Sequence, residues 1–120
     1  MSDYITKIEP TMWYEICMAG DINHAKQIVR RYCFQVGLCV TIDPTTYIYT
    51  GGEEEGFKIR LVHYPRFPAE REDLFTKARD LGILLMYDLT QTSFSIVGDD
   101  FTYWITRRPF DVKSAGKEKA

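Results

Sequence analysis

Apolar residues recur along this chain with two different periods, which separate strands from helices. Met12 to Ala19 (MWYEICMA) is apolar on most of both faces and carries one charge, which predicts a central strand. Gly20 ends it, and Asp21 is placed to cap a following helix. Apolar residues then fall at Ile22, Ala25, Val29, Tyr32 and Val36, with Ile28 and Cys33 alongside. Their spacing predicts an amphipathic helix that Gly37 terminates. Leu38 to Ile42 alternates as a strand, Asp43-Pro44 predicts a turn or bend, and Thr45 to Thr50 predicts another strand.

Thr50 to Gly56 (TGGEEEG) reads as a hairpin connection. In Phe57 to Tyr64 the alternation is clean. Phe57, Ile59, Leu61 and His63 fall on one face, and Lys58, Arg60, Val62 and Tyr64 on the other. Pro65 to Pro68 breaks the pattern. A helical stripe follows at Leu74, Phe75, Ala78, Leu81, Leu85 and Leu89, with Glu70, Glu72 and Asp73 where they complement the helix dipole. Thr92 to Val97 and Phe101 to Arg108 predict two strands joined by a turn at Gly98-Asp99-Asp100. Residues 1–10 read as a leader or edge strand, and 113–120 as a polar tail expected to fray. This order predicts one α+β domain over residues 1–112: a mostly antiparallel sheet with two amphipathic helices on one face, ferredoxin-like or a close variant.

Length and composition agree with that reading. The chain has 120 residues, 45% hydrophobic and 27% charged, enough to build a core. Its net charge of −2 argues against a dedicated duplex-DNA binder. No segment has the ~20 apolar residues of a membrane span, and Met1 to Pro10, with Asp3, Lys7 and Glu9, lacks the apolar run of a signal peptide. A cytoplasmic protein is expected. Cys17, Cys33 and Cys39 lack metal-ligand spacing and are expected to be buried, reduced thiols.

Catalytic signatures are scarce. His24 and His63 lie in different elements, and no H-E-x-x-H, C-x-x-C or G-x-S-x-G occurs. The Gly51-Gly52 turn lacks the Lys-Ser/Thr of a phosphate loop. Glu53 to Glu55 reads as a solvated acidic turn, with metal binding as the rarer alternative. No cofactor and no metal is expected.

Arginine beside aromatics on strands is the more informative feature. Arg60 shares a face with Tyr64, Arg66 lies between Tyr64 and Phe67, and Tyr103-Trp104 precede Arg107-Arg108. Guanidinium groups suit phosphates, and rings suit bases, so these eight residues are candidate nucleotide ligands. Core or interface aromatics with rim arginines is the plainer alternative. Alternation sends Trp104 and Arg108 to one face and Tyr103 and Arg107 to the other. The polar face of the first helix (His24, Lys26, Gln27, Arg30, Arg31) is either solvated surface or a second anion site. Aromatics make up 14% of a chain with two helices to cover its sheet, which favours a homo-oligomer with sites between subunits.

Four strings, MWYEICMAGD (Met12 to Asp21), TGGEEEGF (Thr50 to Phe57), YPRFP (Tyr64 to Pro68) and WITRR (Trp104 to Arg108), together resemble the first-described phage Thoeris anti-defence sponge family. The resemblance spans nearly the whole chain. It implies a non-enzymatic phage protein that sequesters a cyclic ADP-ribose isomer, with ligand sites between subunits and separate sites for cyclic oligonucleotides. It places YPRFP and WITRR near the nucleotide. Two other readings stay open: a single-stranded nucleic-acid module using Tyr47 or Tyr103 on an open sheet, and an inhibitor that binds a protein through its aromatic surface.

Overall fold

Residues 3–112 are described in a computed structural model, with five strands and two long helices. Strand β1 (Trp13–Ala19) leads into helix α1 (Ile22–Val36), and β2 (Val40–Tyr49) and β3 (Gly52–Val62) form a hairpin. Helix α2 (Arg71–Asp88) follows, then β4 (Ser93–Gly98) and β5 (Thr102–Thr106). Every strand pairing is antiparallel, and the order across the sheet is β2-β3-β1-β4-β5. The first four strands with their two helices make the interlocked βαβ pattern of a ferredoxin-like fold, and β5 adds an edge. The fold class read from the sequence therefore stands. The polar tail at 113–120 lies outside the described residues. Residues 3–10 form neither helix nor strand.

Local chemistry sets the helix ends. The Asp21 carboxylate accepts the His24 backbone N–H at 3.0 Å, and Gly37 closes α1 in the left-handed conformation at φ 70°. Along β1, Tyr14, Ile16 and Met18 are buried under the helices. Ile59 and Leu61 of β3 and Phe94 and Ile96 of β4 extend that layer. Ala25, Ile28 and Val29 of α1 and Leu74, Ala78, Leu81 and Leu85 of α2 close it from above. Both helices lie on this one face, which leaves the other face of the sheet open.

Three local expectations need correction. The two strands predicted on either side of Asp43-Pro44 are one continuous strand, Val40–Tyr49, running through Pro44, because β2 pairs on one side only and an edge strand accepts proline. The hairpin loop is two residues, Thr50 and Gly51 at φ 91°, so Glu53, Glu54 and Glu55 are strand residues and not a turn. The cysteines are free but not fully buried: Cys17 and Cys33 are half-buried and Cys39 is exposed.

An ion-pair clamp joins α2 to the β4–β5 turn. Arg71 donates from both terminal nitrogens to Asp99, at 2.7 and 3.0 Å, and to the Tyr14 hydroxyl at 3.2 Å. Tyr14 donates in turn to Asp100 at 3.1 Å. The Arg71 hydrogen bonds hold the Asp99 carboxyl below its ordinary value of 3.8. A depressed folded pKa stabilises the fold above the unfolded value, and that stabilisation is lost as pH falls through the folded one. The melting temperature is therefore expected to fall on acidification below the ordinary carboxylate range, with a shallower fall in Asp99→Asn. Parallel pH profiles for the two proteins would contradict this.

Candidate functional site

Alternation along each strand sends a second set of side chains to the open face. Trp13, Glu15 and Cys17 come from β1, and Lys58 and Arg60 from β3. Tyr47 and Tyr49 of β2 stand opposite Glu54 and Gly52, and Ser95 of β4 stands opposite Trp104 of β5. Strand β1 ends at Ala19, opposite Gly56, while the β2–β3 ribbon runs on past it. The gap so left is a concave site of about 310 Å³. Tyr47, Tyr49 and Glu54 line its ribbon side. Ser93, Ser95, Trp104 and Arg108 line the opposite side, with Cys17 and Ala19 at the floor.

Gly56 makes the floor compact. A Cβ at this position would lie 2.3 Å from the Met18 carbonyl oxygen and 2.7 Å from the Tyr47 ring. The Tyr47 ring therefore lies across the glycine, and its hydroxyl donates to the Phe57 carbonyl at 2.8 Å. Burial raises the pKa of Tyr47 and of the Cys17 thiol, so both are protonated at neutral pH. Tyr49 donates to the Glu54 carboxylate at 2.9 Å, and this bond keeps its phenol protonated too. On the far side, Arg108 pairs through Nε with Asp111 at 2.7 Å, and its guanidinium carbon lies 5.5 Å from the centre of the Trp104 ring. Trp104 is 55% exposed. The site thus offers a carboxylate, a guanidinium and aromatic faces, a set that suits a planar base joined to a zwitterionic arm.

The structure joins two of the eight proposed nucleotide ligands in this site, Trp104 and Arg108. Arg60 lies farther along the open face, bonded to Glu15 at 3.0 Å and 4.2 Å above the Trp13 ring. Tyr64 and Phe67 line a separate cavity of about 170 Å³, and Arg66 stands 5.2 Å from the Phe67 ring. Tyr103 is on the helix side, with its ring 4.5 Å from that of Phe75, so it is no open-face stacking platform. Arg107 also turns to that side, donating to the Gln91 carbonyl at 2.8 Å beneath Tyr87. Within one chain these eight residues form no single cluster. On α1, His24, Lys26, Gln27, Arg30 and Arg31 are all exposed, and Lys26 and Arg30 flank an apolar groove with Val29 and Ile42.

Sequence reasoning passed over Tyr49, Glu54, Ser93 and Ser95 as ligands. A signal for the first two was present. Placing the turn at Thr50-Gly51 sets Tyr49 opposite Gly52 and Tyr47 opposite Glu54, so Tyr49 and Glu54 share one face of the ribbon. His63, noted for lacking ligand-spaced partners, is a buried tie: Nε2 accepts the Ala69 N–H at 3.0 Å and Nδ1 faces the Pro10 carbonyl at 3.1 Å. Among the described residues no helix is long and apolar enough to cross a membrane.

No family model and no curated protein matches the chain. Two solved structures share its fold. A phage SAM (S-adenosylmethionine) lyase in the apo state superposes with a TM-score of 0.72 at 15% identity, covering 88% of this chain and 98% of the other. A phage SAM lyase in complex with S-methyl-5′-thioadenosine gives a TM-score of 0.60 at 14% identity, covering 88% and 96%. These matches overturn the expectation of a non-enzymatic cyclic ADP-ribose sponge, since both proteins are named as enzymes that act on a different nucleoside. The phage association of the sequence resemblance agrees with them, and its sponge function does not.

Proposed function

We propose that this chain is an enzyme of the SAM lyase type, holding SAM in the cleft between the β2–β3 ribbon and the β4–β5 edge. The likeness over 88% of the chain to a lyase in complex with S-methyl-5′-thioadenosine supports this reading. The cleft's own chemistry supports it independently. Trp104 offers a face for adenine, and Glu54 a counter-charge for the sulfonium and ammonium groups.

The reaction asks little of the protein's acid–base groups. The sulfonium is already a leaving group. The substrate's own carboxylate attacks Cγ, the Cγ–S bond breaks, and its electron pair goes to sulfur. S-methyl-5′-thioadenosine leaves as a neutral thioether, and the amino-acid arm closes to a five-membered lactone. No proton moves and no water enters. The two opposite charges cancel as the bonds exchange, so a dry site that holds the arm folded favours the step. Protonated Tyr47, Tyr49 and Cys17 are compatible with this, because none is needed as a base.

Exposed aromatics extend well beyond the cleft. Trp104 and Tyr49, both more than half exposed, stand open at its rim. A second copy of the chain covers this rim in the proposed assembly and dries the site.

Titration of the protein with S-methyl-5′-thioadenosine, followed by indole fluorescence, tests the site. A saturable change is expected, since Trp104 stacks on the base. A flat titration at millimolar ligand would overturn the assignment.

A further inference from the structure

We propose that Arg108 is the carboxylate anchor of the cleft and that Asp111 is its positioning residue. This rests on the reading of the cleft as a SAM site. S-methyl-5′-thioadenosine and SAM differ chiefly in the amino-acid arm, so a lyase of this type must hold the arm through contacts its thioether product does not make. Among the described residues that line the cleft, Arg108 is the one cation.

Its surroundings fix it as an anchor. Asp111 forms an ion pair with Nε at 2.7 Å, and the same carboxylate oxygen accepts the Thr106 hydroxyl at 3.1 Å. The Thr106 oxygen also accepts the Arg108 backbone N–H at 3.2 Å. The guanidinium lies near the Trp104 ring, which sets a base and a carboxylate site side by side. A guanidinium has five N–H donors, and Asp111 engages the Nε end, so the terminal nitrogens remain for an incoming carboxylate. One oxygen of that carboxylate is enough for the anchor; the other is free to approach Cγ. Glu54, across the cleft, repels the carboxylate and attracts the ammonium, so the two charges give the arm one orientation.

The test compares two uncleavable thioethers by calorimetry: S-adenosylhomocysteine, which keeps the arm, and S-methyl-5′-thioadenosine, which lacks it. Arg108→Gln is expected to weaken S-adenosylhomocysteine binding about tenfold or more and to leave the armless ligand within about twofold. Unchanged binding of the armless ligand also reports an intact fold. Asp111→Asn is expected to weaken the armed ligand alone by about threefold, and Arg108→Lys to restore little, because a point charge does not reproduce the fork. Equal losses for both ligands, or none for either, would overturn the anchor. If the unmodified protein binds the armless ligand but not the armed one, the anchor fails while the nucleoside site stands. If it binds neither, the site reading itself fails and takes the anchor with it.

Discussion

Gly56→Ala is expected to destabilise the fold by about 3 kcal/mol, near the upper end for overpacking. The added Cβ meets the Met18 carbonyl oxygen at 2.3 Å and the Ala19 Cα at 2.8 Å, both backbone atoms of the adjacent strand. Neither atom moves without parting β1 from β3 in the centre of the sheet. The Tyr47 ring, at 2.7 Å, must also leave the glycine and give up its bond to the Phe57 carbonyl. Ligand binding is expected to fall with stability, because Tyr47 lines the cleft. At this chain length the melting temperature should drop by about 10 °C. Gly51→Ala is the control. Its Cβ meets nothing within 4 Å, so only the positive φ is strained, at about 1 kcal/mol. Equal effects of the two substitutions in thermal melts would show that the close approach at Gly56 does not limit the sheet.

Trp104→Ala is expected to have the opposite profile, with small loss of stability and large loss of binding. The indole is 55% exposed on the last strand, so truncation removes little core area. Stacking of a base on an aromatic face contributes about 1–3 kcal/mol, so affinity for S-methyl-5′-thioadenosine should weaken about 10- to 100-fold. The melting temperature should move by less than about 4 °C. Trp104→Phe should recover part of the affinity, since a smaller ring still stacks. Unchanged affinity in Trp104→Ala would remove the base from this face of the sheet.

The contrast between these residues shows which parts of the molecule were legible in the sequence. Helix α1 was, from Asp21 to Gly37, because a cap and a left-handed stop act within one helical turn. The alternation that sends Trp104 outward and Tyr103 inward was legible for the same reason, since strand period is local. The cleft was not. Its walls come from both ends of the strand order, and lateral order is fixed by long-range packing. The run of glutamates hid Glu54 as a wall residue, because a glycine pair beside three acidic residues reads as a loop until the two-residue turn is placed.

The functional error has a physical origin too. The strings that resembled a sponge family mainly build the fold. MWYEICMAGD is the central strand with its helix cap, TGGEEEGF is most of a hairpin arm, and YPRFP lines a separate cavity. Three of the strings also touch the cleft: WITRR through Trp104 and Arg108, TGGEEEGF through Glu54, and MWYEICMAGD through Cys17 and Ala19 at the floor. Short strings of this kind follow the fold, and chemistry follows the site.

The decisive measurement is the fate of SAM incubated with the purified protein, read by mass spectrometry. Our account predicts that SAM disappears while S-methyl-5′-thioadenosine and the amino-acid lactone form in equal amounts. SAM recovered intact after denaturing the protein, with no thioether formed, would contradict it.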